Sequence, residues 1–326
     1  MKIAIVGATG AVGRMMIRNL AEMKIEISTL DLYASARSAG KTLYYVDDAL
    51  LVEELTRDSF AKGYDYVLFS AGAGVSRSFA PFALQHARAV IDNSSAFRME
   101  PDIPLVVPEI NGALLTGYNG IIANPNCSTI QMVLPLAVLD RMYGIRKVIV
   151  STYQAVSGTG QQGLDALYQQ RNGSSEMGVY PAIIDMNVIP QIGGLQDNGY
   201  SAEEEKMYQE TQKILDNYQL ALSATCVRVP VRFGHCISVY VECEREVDLN
   251  DASTALAHSD AIRYSANTYT TPLDLGNSND SHVSRLRFGT DKHSLTFWNV
   301  ANNLRLGAAT NAIKIMLAHA AENTKS

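Results

Sequence analysis

Glycines at positions 7, 10 and 13, directly after the apolar run Lys2 to Val6, constrain this chain more than any other feature. The string Gly7-Ala8-Thr9-Gly10-Ala11-Val12-Gly13 leads into Arg14 to Ala21, where apolar residues recur at helical spacing. Strand, tight turn and helix therefore succeed one another. In that setting the glycines make the turn, let the backbone approach a pyrophosphate, and let the helix pack closely on the strand. Gly7, Thr9, Gly10, Ala11, Val12 and Gly13 are the first candidate cofactor-binding residues. Further apolar runs at Ile25 to Tyr33, Tyr66 to Ser70, Val90 to Asp92 and Gly120 to Ala123 alternate with helical or loop segments such as Ser78 to Ala89. Alternation of this kind predicts a Rossmann-type parallel sheet.

After Cys127 the pattern changes. A helix is expected to about Tyr143, a strand at Lys147 to Gln154, a glycine-rich polar stretch from Ser157 to Tyr200, and a second helix at Glu203 to Tyr218. Alternating runs at Leu220 to Pro230, Cys236 to Arg245 and Leu295 to Val300 predict a mostly antiparallel second sheet. A chain of 326 residues is long enough for two domains. The expected division is α/β: a nucleotide domain over 1–126, and an α+β domain over 127–303. An amphipathic helix within 304–326 is expected to pack back on the first domain.

Composition narrows the partners. A net charge of −6 with mixed signs leaves no basic stripe for nucleic acid, and no apolar run reaches the roughly 18 residues of a membrane helix. Met1 to Val6 lacks the succession of a signal peptide, so a reducing cytoplasm is expected and the four cysteines should be thiols. No metal site is expected, because Cys226, Cys236, Cys243 and His235 show neither Cys-x-x-Cys nor His-x-x-x-His spacing. Small molecules are the expected partners.

An acidic residue at the end of the second strand would bind the ribose hydroxyl of NAD, but Asp31 falls inside the strand. Immediately beyond the strand stands Ser35-Ala36-Arg37-Ser38. Two hydroxyls and a guanidinium suit a 2′-phosphate, which favours NADP; the competing reading is a solvated polar loop.

Asn124-Pro125-Asn126-Cys127-Ser128-Thr129 lies between a strand and a helix, so the Cys127 thiol is expected at the positive end of a helix dipole. The Asn126 amide, Ser128 and turn amides are candidates for holding an oxyanion. Cys226 and Cys243, within strands, read as structural. Among His86, His235, His258, His282, His293 and His319, only His235 comes after a glycine at the start of a strand with arginines nearby, which makes it the candidate acid/base. Cys236 should then face the opposite side of that strand.

Taken together, Gly7 to Gly13, Asn124 to Thr129, Gly158-Thr-Gly160, Arg228-Val-Pro-Val231 with Gly234-His235, and Asn303-Leu-Arg-Leu-Gly-Ala-Ala309 resemble aspartate-β-semialdehyde dehydrogenases over essentially the whole chain. The resemblance implies a homodimer formed through the second domain. It also implies NADPH-dependent reduction of β-aspartyl phosphate to aspartate β-semialdehyde through a Cys127 thioester, with release of phosphate, in the biosynthesis of lysine, methionine, threonine and isoleucine. By position it gives Gln154 the thioester, Arg98 and Lys206 the phosphate, Glu203 the substrate amine and Arg228 its α-carboxylate. Ser157, Gly158 and Asn303 go to the cofactor.

Three residues depart from the family pattern. Pro135 should kink or break the helix near Leu134. Asn302 stands in place of an acidic residue, and Cys236 in place of serine. Two other readings stay open: an N-acetyl-γ-glutamyl-phosphate reductase, against which Glu203 speaks, and a non-catalytic NADP-binding sensor.

Overall fold

The computed structural model describes residues 1–322, so residues 323–326 of the expected C-terminal helix lie outside the described residues. Two compact units are present, one made of residues 1–126 with the segment from Ala308 onward, the other of residues 127–307. Among the described residues no helix is long and apolar enough to cross a membrane.

In the first unit, β1 (Lys2–Val6), β2 (Thr29–Ala34), β3 (Thr42–Tyr45), β4 (Asp48–Glu54), β5 (Tyr64–Phe69), β6 (Ala87–Asp92) and β7 (Ile121–Ala123) form a sheet in the order β3-β4-β2-β1-β5-β6-β7. Every pair is parallel except β3 with β4. Helices α1 (Ala11–Glu22), α2 (Ala73–Leu84) and α3 (Pro108–Asn111) connect the strands. Alternate residues of β1 serve two cores, as a strand covered on both faces must. Ile3 and Ile5 cluster with Met16 and Leu20 of α1 and with Ile313 and Met316 of the C-terminal helix Asn311–Glu322, whereas Ala4 and Val6 cluster with Phe69 and with Ala80 of α2.

The second unit holds β8 (Ile145–Ala155), β9 (Ala221–Val229), β10 (His235–Cys243), β11 (Ile262–Ser265), β12 (Ser281–Phe288) and β13 (Ser294–Ala301), in the order β11-β12-β13-β10-β8-β9. Its helices are α4 (Cys127–Tyr143), α5 (Gln161–Arg171), α6 (Ala202–Leu215) and α7 (Leu249–Ala257). The three central pairings are antiparallel and both edge pairings, β11 with β12 and β8 with β9, are parallel. Helices α4, α6 and α7 pack on one face, where Val148, Val150, Thr152 and Gln154 of β8 are buried; Ile149 and Tyr153 stand exposed on the other.

The structure differs from the sequence reading at several elements. The run Ile25 to Tyr33 becomes a strand only from Thr29. The hairpin β3–β4, helices α5 and α7, and strands β11 and β12 have no clear periodic signature. Helix α5 lies inside the stretch read as irregular because it opens Gln-Gln-Gly; a methyl group on Gly163 would sit 2.4 Å from the Val156 carbonyl oxygen, so close packing requires that residue. Helix α4 does not break at Pro135 but runs unbroken to Tyr143.

Candidate active site

The turn after β1 is closed by backbone against backbone. Gly7 has φ +83°, and a methyl group there would meet Ser70 O at 2.5 Å; one on Gly13 would meet Gly7 O at 2.3 Å. The turn lies where the strand order reverses, between β2 and β5, the crevice in which open parallel sheets bind nucleotides. Helix α1 starts at Gly10 with no side-chain cap and no acidic residue in its first turn, so its dipole and leading amides are available to a pyrophosphate. These residues fit a dinucleotide.

Beyond β2, Ser35 to Ser38 form a turn closed by the Ser38 amide on Ser35 O at 2.8 Å, with Arg37 exposed. Asp31 lies inside β2, where it accepts the Tyr64 hydroxyl at 2.6 Å and faces Lys62 at 3.4 Å. Also in the first unit, buried Arg98 donates through Nε to Asn124 O and through Nη2 to Asn93 O, both at 2.9 Å. Asn126, buried, immediately precedes Cys127.

Cys127 is the first residue of α4 and partly exposed. The helix N-terminus favours its thiolate. A methyl group on Gly307 would lie 2.7 Å from Cys127 Cβ, so Cys127 and Gly307 pack without room for a side chain between them. Burial pushes the other thiols the opposite way: Cys236 rises to about 12 and Cys243 to about 11, and Cys226 rises as well through burial and then the Glu203 charge. Cys236 packs with Leu275 and Val300, while its neighbour His235 turns to the opposite face.

His235, fully buried, opens β10 after Gly234, whose φ is +91°. The Ala155 amide donates to its Nδ1 at 3.0 Å, which leaves the hydrogen of the neutral ring on Nε2. Nε2 has no hydrogen-bond partner among the described residues. Burial first, and the Arg228 charge second, hold the imidazole down at about 3, against weaker opposition from Glu203 and the Gly234 backbone, so the ring is neutral at neutral pH.

The carbonyl of Ala155 accepts from Arg228 Nη1 at 2.7 Å, so one residue's two backbone groups orient both the imidazole and the guanidinium. A methyl group on Gly158 would lie 2.8 Å from Arg228 Nη1 and 3.3 Å from His235 Nε2, which makes this glycine the floor between them. Gln154 accepts the Thr152 hydroxyl at 3.0 Å and donates to Glu203 Oε1 at 3.1 Å; Glu203 Oε2 meets Lys206 Nζ at 3.2 Å. Glu203 reaches His235 electrostatically, and Cys226 senses both Glu203 and Cys127. Ala155 thus joins His235 to Arg228, and Glu203 joins Gln154 to Lys206, all in the second unit that also holds Cys127.

Of the three consecutive glutamates 203 to 205, Glu204 is structural: it closes a capping box with Ser201 and accepts the Cys226 amide at 2.8 Å. Asn303 donates to Ser157 Oγ at 3.0 Å and accepts the Gly234 amide at 2.9 Å, tying the turn at Ser157 to the residue before the histidine. Asn302 Oδ1 accepts the Leu304 amide at 3.1 Å and the Arg305 amide at 3.2 Å, a task that needs an acceptor but no charge. Sequence reasoning misses Ala155 and Gly307. The first acts through its backbone and leaves no side-chain signal; the second lies inside the motif Asn303 to Ala309, where nothing in the sequence marks that glycine for a contact with Cys127.

Family models match both halves of the chain: "Semialdehyde dehydrogenase, NAD binding domain" over residues 2–118 and "Semialdehyde dehydrogenase, dimerisation domain" over residues 135–306. The aspartate-semialdehyde dehydrogenase of Bacillus subtilis (strain 168) is 44% identical over 331 residues, covering 96% of this chain and 95% of its own. That of Aquifex aeolicus (strain VF5) is 41% identical, covering 96% of each. Among solved structures, aspartate semialdehyde dehydrogenase II from Vibrio cholerae complexed with ASA superposes with a TM-score of 0.95 at 39% identity, covering 98% of each chain.

Proposed function

This chain belongs to the aspartate-semialdehyde dehydrogenase family, and from that premise we propose that it reduces β-aspartyl phosphate to aspartate β-semialdehyde with NADPH through a thioester on Cys127. The observation that carries the mechanism is the contrast among the thiols. Cys127 alone combines exposure with a helix N-terminus, while the other three are buried and held protonated. Following NADPH oxidation with β-aspartyl phosphate and with N-acetylglutamyl phosphate tests the substrate. Equal turnover of both would overturn it.

The thiolate attacks the acyl carbon, the carbon–oxygen bond to phosphate breaks, and phosphate departs. A bound reduced nicotinamide supplies the hydride. Cys127 then leaves as a thiolate and the aldehyde is free. With the sulfur cycling as thiolate, neither addition nor collapse needs a net proton at the acyl oxygen; that oxygen needs a hydrogen-bond donor while it carries charge. We assign this task to His235 Nε2–H, with the Asn126 amide as a second donor. Residue type and position alone make His235 the acceptor of the thiol's proton. The neutral ring and the Ala155 amide on Nδ1 favour the donor role, because a second proton would have to enter between Nδ1 and that amide.

At the substrate, Arg228 suits the α-carboxylate, since its guanidinium is already oriented by Ala155, and Glu203 suits the α-ammonium. Arg98 and Lys206 are assigned to the phosphate. In the reverse direction, Glu203→Gln is expected to raise the semialdehyde KM roughly 10- to 100-fold, the scale of one hydrogen bond to a charged group, with a smaller effect on the phosphate KM. Lys206→Ala should raise chiefly the phosphate KM. Unchanged semialdehyde kinetics in Glu203→Gln would remove the amine from Glu203.

For the cofactor, the glycine turn with Thr9, Ala11 and Val12 holds the pyrophosphate, and Ser35, Arg37 and Ser38 hold the 2′-phosphate. Asp31, engaged by Tyr64, is a poor candidate for the ribose hydroxyl that NAD would present. Arg37→Ala is expected to weaken NADPH roughly 10- to 100-fold while leaving NADH nearly unchanged. Equal loss for both would move the preference elsewhere. Ser157, Gly158 and Asn303 are assigned to the cofactor by family position, and the side chains of Ser157 and Asn303 bond each other.

A homodimer through the open face of the second sheet is the assembly we favour. Ile149 and Tyr153 are 43% and 39% exposed there, and the matching family model describes a dimerisation domain. The cytoplasm, where thiols stay reduced, suits a reactive cysteine.

A further inference from the structure

Helix α4 carries an internal proline that should leave one of its carbonyls without a partner. Pro135 has no amide hydrogen, so the Gln131 carbonyl, four residues earlier, loses its intrahelical donor. The vacancy lies one turn beyond Cys127, and a turn of helix that close to the nucleophile can least tolerate loosening.

The missing donor comes from another element. Ser281, at the start of β12, donates its hydroxyl to Gln131 O at 2.9 Å. Asn299 of β13 donates to Ser281 Oγ at 2.7 Å, and Asn299 Oδ1 accepts from the side-chain Nε2 of Gln131 at 3.0 Å. The same Nε2 donates to the backbone oxygen of His235 at 3.2 Å. Gln131, Ser281, Asn299 and His235 are all fully buried. A closed ring therefore runs from the Gln131 carbonyl through Ser281 and Asn299 to the Gln131 amide, with a branch to His235. Residues 127 and 131 share a helix face, so the ring fixes the rotation of the thiol's helix against the strand that opens with the histidine.

We propose that the Ser281 hydroxyl replaces the amide hydrogen that Pro135 lacks, and that Gln131, Ser281 and Asn299 are positioning residues that hold Cys127 in register with His235. This rests on the thioester reading for its effect on turnover, but the exchange between Ser281 and Pro135 stands on hydrogen bonds alone. Low dielectric inside the unit makes such a ring stiff when complete and costly when one member is missing.

The exchange has a distinctive test. Pro135→Ala returns an amide hydrogen to the helix, so it should make the Ser281 hydroxyl dispensable. Four proteins are compared: wild type, Ser281→Ala, Pro135→Ala and the double variant Pro135→Ala/Ser281→Ala. For each, kcat and KM are measured in the reverse direction, together with the pH dependence of Cys127 alkylation by iodoacetamide and the urea midpoint. Ser281→Ala is expected to lower kcat roughly tenfold with KM within about twofold, and to displace the alkylation profile, because orientation and not binding is lost. The double variant should return to within about threefold of Pro135→Ala in kcat and recover its urea midpoint. Wild-type kcat and alkylation in Ser281→Ala would overturn the proposal. So would a double variant that is unfolded or no better than Ser281→Ala. An active Cys127→Ala protein would instead defeat the thioester reading, and the urea midpoints would still decide whether the hydroxyl replaces the amide.

Discussion

Cys127→Ala is expected to lower kcat by at least about 10⁴-fold with β-aspartyl phosphate and to leave no acyl adduct on the protein, since losing a nucleophile removes the covalent route altogether. The wild type, quenched after mixing with acyl phosphate in the absence of nicotinamide, should carry one adduct, and peptide mapping should locate it on Cys127. Cys236 provides the internal control. It lies next to His235 in sequence, yet it sits in an apolar cluster on the other face of β10 with its thiol held at about 12. Cys236→Ala should therefore keep near-normal turnover. An adduct on Cys236, or a Cys127→Ala protein that still turns over, would defeat the assignment.

The second large effect concerns His235. If it acts as a neutral donor, His235→Ala should lose about 10²- to 10³-fold in kcat, the cost of one donor to an oxyanion, and His235→Asn should lose less because it keeps an N–H. The pH profile separates the roles. From about pH 5.5 to 8, kcat/KM should keep its shape in His235→Asn while its height falls; disappearance of an acid limb would make His235 a titrating base. Stability offers an independent reading. The folded ring is held at about 3 against an ordinary 6.5. Above pH 6.5 neither state binds the proton and the residue contributes no pH dependence. Below it the unfolded chain takes a proton that the folded chain refuses, so stability falls by about 1.4 kcal/mol per pH unit until the folded pKa is reached. His235→Asn should flatten the acid side of the urea-midpoint profile by that slope. An unchanged profile would mean that the ring protonates freely in the folded protein.

How far the sequence reaches depends on where each signal resides. The first sheet is legible because β1, β5 and β6 are continuous apolar runs, and Gly7 and Gly13 mark backbone contacts that no other residue tolerates. Helix α4 is legible in its bounds but not in its continuity. Pro135 argues for a break in any local reading, and the hydroxyl that heals it comes from Ser281, 150 residues from the Gln131 carbonyl it pairs with. The side chains of the site can be named from the sequence because they carry charge or a thiol. Their relation cannot: Ala155, whose two backbone groups set the histidine tautomer and orient Arg228, is indistinguishable in sequence from any core alanine. The proton-acceptor role expected of His235 comes from residue type, whereas the donor role proposed for it rests on which backbone group faces Nδ1.

The first unit is built from both ends of the chain, and this orders events during synthesis. Ile313, Ile315 and Met316 belong to the same buried cluster as Ile3, Ile5 and Met16. As the ribosome delivers residues from the amino end, the nucleotide sheet emerges early with α1 on that flank, but the flank is not fully covered until the second unit and the helix Asn311–Glu322 have been made. Gly307, which packs on Cys127, also arrives late. A nascent chain therefore holds Cys127 without the glycine that packs on it, and one sheet face only partly covered, until the end of the second unit and the helix that follows it have been made.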